Sequence, residues 1–269
     1  MDPTDDDLTR FAAEGAQLPE PTQAGYVDHD GAKIWHATFG AGRPVVLLHG
    51  GLGHSGNWGY QVPALVAAGH QVVVIDSRGH GRSTRDDRPY TYALMAGDLL
   101  AVLDHLRLAR AALVGWSDGP VIALIAAERL PKRVAGVFFF GCNVDPSGAK
   151  DPLDFTPVVG RCFNRHVQDY AALSATPGDF EAFSEAVGLM QRTQPNYTLG
   201  DLVQIGVPVT VAHSEHDEFI KPEHATYLAA SLPFANYVAL PGVSHFAPLQ
   251  RPELFNHAVL TFLTRVWAE

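Results

Sequence analysis

Short, mainly apolar runs punctuate the chain from residue 45 onward, with longer amphipathic stretches between them. The runs at 45–48, 72–75, 111–114, 134–140 and 207–212, with 237–240 after them, have the length and β-branched content of strands buried on both faces. Ahead of them, residues 26–28 and 34–39 read as two strands joined by a turn at Asp30-Gly31. Met95, Leu99, Val102, Leu103 and Leu106 share one helical face, with Thr91 placed to cap it. Residues 120–130 read as a helix with Pro120 in its first turn. Phe255, Val259, Phe262, Leu263 and Val266 form a last apolar stripe after Pro252. Strands alternating with helices predict an α/β fold: a mainly parallel sheet with helices on both faces.

One stretch breaks this rhythm. Residues 146–204 separate two sheet strands by far more than a usual connection. Phe155, Phe163, Tyr170, Leu173, Phe180, Phe183, Val187 and Met190 recur there at roughly helical spacing, so the segment reads as an inserted helical cap, or lid. Residues 1–24 read as an acidic tail with one short helix near residues 8–13. The expected division is therefore a tail over 1–24, a core over 25–145 and 205–269, and a cap over 146–204.

Composition narrows the partners. Hydrophobic residues make up 46% and charged residues 18% of 269, which excludes collagen-like and fully disordered chains. The net charge of −10 argues against nucleic acid and anionic membranes, both of which need clustered Lys and Arg. No apolar run approaches the roughly 18 residues of a membrane helix. Two cysteines, Cys142 and Cys162, make no disulfide framework, and residues near the N-terminus lack a basic-then-apolar signal pattern. A reduced, cytoplasmic protein is the expectation, with buried thiols and an open oligomeric state, monomer or homodimer.

The chemistry centres on Gly115-Trp116-Ser117-Asp118-Gly119, which directly follows an apolar strand and precedes a helix. Gly-x-Ser-x-Gly alone is a weak signal, but the strand-to-helix setting is what a nucleophile elbow needs. The glycines leave room for a sharp turn that lifts the serine hydroxyl above the sheet. A serine hydroxyl needs a base. Of 13 histidines, His245 lies just past the last strand, on the sheet edge that carries Ser117, whereas His36, His70, His105 and His257 lie in element bodies. The imidazole needs an acid. Asp217, after the strand at 207–212, is the candidate, with Asp145 as the alternative from the neighbouring strand end. Oxyanion donors are expected from the backbone of Asp118 and of Gly51 or Leu52, in His49-Gly50-Gly51-Leu52-Gly53.

With these pieces in place, residues 25–269 resemble the α/β-hydrolase superfamily. The matching segments are His49-Gly50-Gly51, the stretch from Asp76 to Ser83, the elbow, Asp217 with Pro222, and Val243-Ser244-His245-Phe246. The resemblance implies an eight-stranded, mostly parallel sheet with a helical cap after strand 6 and the triad Ser117, Asp217, His245. Haloalkane dehalogenases and epoxide hydrolases of the superfamily place Asp where this chain has Ser117. The Trp-Ser-Asp-Gly elbow is similar to that of the biphenyl-hydrolase-like, valacyclovir-hydrolase group, where the aspartate is implied to contact a substrate amine. Asp118 either does so here or bonds backbone donors, and Pro120 departs from that group's more usual glycine.

The expectation is a serine esterase acting on a small acyl substrate without cofactor. Trp58, Asp118, Phe163, Met190 and Phe246 are the expected substrate contacts. The alternatives are cofactor-free haloperoxidase or perhydrolase activity, C–C bond hydrolysis by the same triad, and a slow-turnover ligand receptor. His213, His216 and Asp217 lie close together but lack a zinc-site spacing, so no metal is expected. Arg161, Arg165, His166 and Arg192 give the cap a basic flavour, read as a solvated face or a contact to a substrate carboxylate.

Overall fold

Alternate residues of each central strand face opposite apolar layers. Val45 and Leu47 belong to one layer, and Val46 and Leu48 to the other; Val72 and Val74 are divided in the same way from Val73 and Ile75. A parallel sheet with helices on both sides requires this, because neither face meets water.

The computed structural model describes residues 7–268. Asp2, Asp5 and Asp6, part of the acidic run read at the N-terminus, lie outside the described residues. Eight strands form one sheet: β1 (Gln23–His29), β2 (Ala32–Phe39), β3 (Arg43–Leu48), β4 (His70–Ile75), β5 (Ala111–Trp116), β6 (Val134–Phe140), β7 (Val209–His216) and β8 (Ala235–Ser244). Their spatial order is β1-β2-β4-β3-β5-β6-β7-β8. β1 pairs antiparallel with β2 and β2 with β4; the remaining pairs are parallel. At the β1–β2 turn, Asp30 (φ +44°) and Gly31 (φ +82°) are both left-handed, as a two-residue type I′ hairpin demands.

The helices are α1 (Leu8–Glu14), α2 (Gln61–Ala67), α3 (Tyr92–His105), α4 (Asp118–Arg129), α5 (Pro157–Leu173), α6 (Phe180–Thr193), α7 (Leu199–Leu202), α8 (Pro222–Ser231), α9 (Ala247–Gln250) and α10 (Pro252–Ala268). α3 begins at its predicted cap, where the Thr91 hydroxyl accepts the Leu94 amide at 3.1 Å. α3, α4 and α8 cover one face of the sheet, and α2 and α10 the other. The chain between β6 and β7 forms α5, α6 and α7. α6 adds Phe183, Val187 and Met190 to the first layer, and α5 adds Val158, Val159 and Cys162 to the second.

Three elements differ from the sequence pattern. β8 continues through Pro241 and Gly242 to Ser244, since an edge strand tolerates a missing donor. β7 runs on to His216, so Glu215 and His216 are strand rather than loop. α4 starts at Asp118, two residues earlier than expected, and Pro120 is its third residue. The first four helical N–H groups have no intrahelical partner, so the donor missing at Pro120 breaks no helical bond.

Candidate active site

The carboxyl ends of β3, β5, β6, β7 and β8 open onto one cavity of about 740 Å³, roofed by α5 and α6. Loops past the carboxyl ends of parallel strands are where α/β sheets place their ligands.

Ser117 sits between β5 and α4 with φ +57° and ψ −113°. An L-residue held there is strained by roughly 1–3 kcal/mol. The strain is imposed by close backbone approach. A Cβ on Gly115 would lie 2.2 Å from the Pro120 nitrogen, and one on Gly119 would lie 2.0 Å from the Leu48 carbonyl oxygen. The turn is fastened by the Ser117 amide, which donates to the Phe140 carbonyl at 2.9 Å. Ser117 thereby lines the cavity, as does His245 from the end of β8.

His245 Nδ1 lies 3.1 and 3.0 Å from the two carboxylate oxygens of Asp217. Asp217 Oδ1 also accepts the amides of Phe219 and Ile220, each at 2.9 Å. A carboxylate has only acceptors to offer, so Nδ1 carries the proton and Nε2 is left with its lone pair. Burial pulls the His245 pKa down, but the Asp217 charge and hydrogen bond outweigh it and hold the imidazole above its ordinary value. Burial would raise Asp217, and His245 with the amide donors holds it below the carboxylate range instead.

The family model for the alpha/beta hydrolase fold matches residues 43–185. The chain belongs to this family. It is 30% identical to the dihydrolipoyllysine-residue acetyltransferase component of the acetoin cleaving system of Pseudomonas putida, over 95% of this chain and 73% of that protein. It is 26% identical to the non-heme haloperoxidase of Rhodococcus erythropolis, over 87% of this chain and 97% of that one. Among solved structures it is similar to Est816, described as an N-acyl homoserine lactone degrading enzyme, with a TM-score of 0.71, 28% identity, and 88% and 100% of the two chains covered.

In this hydrolase the loop after β3 lies against Ser117. The His49 Nδ1–H donates to the Gly50 carbonyl at 2.8 Å, and Nε2 accepts the Ser77 amide at 3.0 Å. Both nitrogens are thus used by a neutral ring, and burial lowers its pKa to about 4. Gly50, Gly51, Leu52 and Gly53 line the cavity. Gly53 donates to the Gly50 carbonyl, whereas the Gly51 and Leu52 amides have no acceptor among the described residues. Leu52 is left-handed, with φ +63°. The Asp76 to Ser83 segment is a brace, as its sequence suggests. Buried Asp76 accepts the Ser55 amide at 2.7 Å and the Arg82 amide at 2.9 Å.

Asp118 turns its carboxylate to side chains rather than backbone. Tyr92 Oη donates to it at 2.8 Å, and Gln191 Nε2 from α6 lies 3.1 Å from both oxygens. Burial raises its pKa, and these two donors only partly oppose that. Phe163 and Phe246 line the cavity; Trp58 and Met190 do not. Trp58 is fully buried, edge-on to Trp116 and tilted against Phe255, and Met190 is buried in the first apolar layer. Large apolar side chains near a site are more often core than wall.

Asp145 is not at His245. Its Oδ1 accepts the Ser147 amide and its Oδ2 lies 4.0 Å from His224 Nδ1. Among the described residues no cluster of His, Cys, Asp and Glu could hold a metal, His213 and His216 included. Arg165 is bound to Asp169 at 2.8 Å, Arg192 lines the cavity, and His166 is buried in its wall. Cys142 also lines the cavity, and burial pushes its thiol up. No helix among the described residues is long and apolar enough to cross a membrane.

Glu218 escaped the sequence reading. Its Oε2 accepts the His245 amide at 2.9 Å, and its Oε1 accepts the hydroxyl of Thr156, the cap of α5, at 3.0 Å. The adjacency to Asp217 was visible, but the partner on the inserted segment was not.

Proposed function

We propose that the chain is a serine hydrolase that cleaves a small ester or related acyl compound through an acyl-enzyme. The observation that carries this reading is the strained Ser117 sharing a cavity with a histidine whose other nitrogen is bound to a buried aspartate. Ser117 Oγ attacks the carbonyl carbon while His245 Nε2 takes its proton. The oxyanion is met by the Asp118 amide and by that of Gly51 or Leu52. His245 then protonates the leaving group, and water, activated by the same nitrogen, releases the acid from Ser117. Every step uses side chains, backbone and water. The substrate is a small molecule reaching the cavity past α5 and α6, which serve as the cap. Two cysteines outside any disulfide and the net charge of −10 suit a reduced cytoplasmic setting, with neither nucleic acid nor membrane as partner.

The test is initial rates on p-nitrophenyl butyrate and on the p-nitrophenyl ester of valine, with Ser117→Ala beside the parent. The parent should hydrolyse the butyrate, and Ser117→Ala should lose at least about a thousandfold. Full activity in the variant would remove Ser117 from the mechanism. Asp118 already holds two donors, so the neutral ester should lead. A tenfold preference for the aminoacyl ester would instead assign Asp118 to a substrate ammonium. The relative named a non-heme haloperoxidase favours one second reading, perhydrolysis. Incubation with acetate and peroxide, read by bromide oxidation, separates it from ester hydrolysis.

A further inference from the structure

Two buried polar side chains of the cavity wall take no part in this scheme. Asn57 lines the cavity and is 1% exposed. Its Oδ1 accepts the His54 amide at 3.0 Å, within the cap of the short 3-10 turn Ser55–Trp58, so the two ends of the amide are distinguished by bonding. The NH2 end donates to nothing among the described residues. His166, from α5, also lines the cavity and is 6% exposed. Its Nδ1 is sealed in the wall without a partner. A sealed nitrogen is better tolerated as a bare acceptor than as an orphaned N–H, which leaves the proton on Nε2. Burial lowers the ring's pKa to about 4, so near pH 7 it is an uncharged donor.

The elements that carry these two donors are in contact with each other. His54 Nε2 lies 3.2 Å from Asp169 Oδ2, and Asp169 is one turn along α5 from His166. The contact holds α5 against the loop that carries Asn57. That loop follows β3, whereas His245 follows β8, and β5 with Ser117 stands between them in the strand order. A leaving group must face His245 to receive its proton. The acyl portion therefore runs the other way, toward the β3 loop.

We infer that Asn57 and His166 form a subsite for an uncharged carbonyl oxygen in the acyl chain of the substrate, beyond the scissile ester. Two neutral N–H donors match the two lone pairs of one carbonyl oxygen. Beside them the Asp169 carboxylate is taken up by Arg165 and by the His54 contact, so the two N–H donors of the pair face the cavity without a charge of their own. The subsite deepens the hydrolytic reading and rests on it. A buried polar site discriminates strongly against an analogue that lacks its partner, since the donors are then left unmet.

The experiment compares kcat/KM for the p-nitrophenyl esters of 4-oxohexanoic, 5-oxohexanoic and hexanoic acids, which share leaving group and chain length. In the parent, one oxo ester should exceed the hexanoate by tenfold or more. In His166→Phe and in Asn57→Asp that ratio should fall to within threefold of one. Asn57→Asp keeps the oxygen that accepts the His54 amide and turns the donor end into an acceptor that carries a negative charge, and His166→Phe removes the other donor without adding one. Oxo esters within threefold of the hexanoate in the parent would overturn the inference, whatever the variants do. If no ester turns over, the hydrolytic reading fails, and calorimetry of the same esters on Ser117→Ala still reads the subsite. A tenfold tighter Kd for one oxo ester supports it there, and equal Kd values overturn it.

Discussion

His245 must be uncharged to accept the Ser117 proton, and Asp217 makes that harder in acid. The carboxylate holds the imidazole pKa above its ordinary 6.5. The rate on a neutral ester should therefore rise with pH through a midpoint above 6.5 and be lost below it. Asp217→Asn removes the charge, so the midpoint should move to lower pH. The amide also presents a donor to Nδ1, which favours the wrong tautomer, and kcat should fall by roughly 10⁴. A pH–rate profile whose acid limb stays in place in Asp217→Asn would show that another group controls it. The meeting of Asp217 with His245, and of His245 with Ser117 in one cavity, was legible because each follows a strand end that an apolar run marks. Trp58 and Met190 were misread because apolar character cannot tell a cavity wall from the core behind it. Glu218 and the Asn57–His166 pair were silent because their meaning lies in partners far away in sequence.

The strand-turn-helix unit around Ser117 shows how an element can be read from a few residues. Leu48 of β3 approaches Gly119 so closely that a methyl group there would meet the Leu48 carbonyl at 2.0 Å, a contact with backbone that cannot swing aside. Gly119→Ala should cost at least the ~1–3 kcal/mol of an overpacked core. It should also displace α4 relative to β3, so urea denaturation should give a lower midpoint, and under the proposed function the rate on p-nitrophenyl butyrate should fall with it. An alanine variant of parental midpoint and rate would mean that β3 and α4 have more freedom than this contact allows. The six strands from β3 onward were legible as apolar runs, and β1 and β2 from the turn between them. Their ends were less so. β8 passes through Pro241-Gly242 because it is an edge with one paired side, and pairing is a property of the sheet rather than of the run itself.

At the scale of the molecule, the segment read as an acidic tail ties two parts of the structure together. Leu8 and Phe11 of α1 are buried in the second apolar layer, at 1% and 0% exposed. α1 lies against α5, whose Arg165 reaches the Ala13 carbonyl at 3.3 Å, and against α9, where the Asp7 amide donates to the Gln250 carbonyl at 3.2 Å. Gln250 in turn accepts the Ser244 amide at 2.7 Å, beside His245. So α1 bridges the helix that carries His166 and the segment that carries His245. None of this was visible in a seven-residue pattern with two large apolar positions, because docking depends on a surface assembled from α5 and α9. Phe11→Ala should destabilise the fold by about 3–5 kcal/mol, the usual cost of emptying a buried phenylalanine site. Because α1 lies against α5 and α9, amide exchange should accelerate first in α5 and only later in β3, β5 and β6, the sheet centre. A variant that loses less than ~1 kcal/mol, or whose α5 amides exchange as in the parent, would make α1 a passenger on the fold rather than a strap across it.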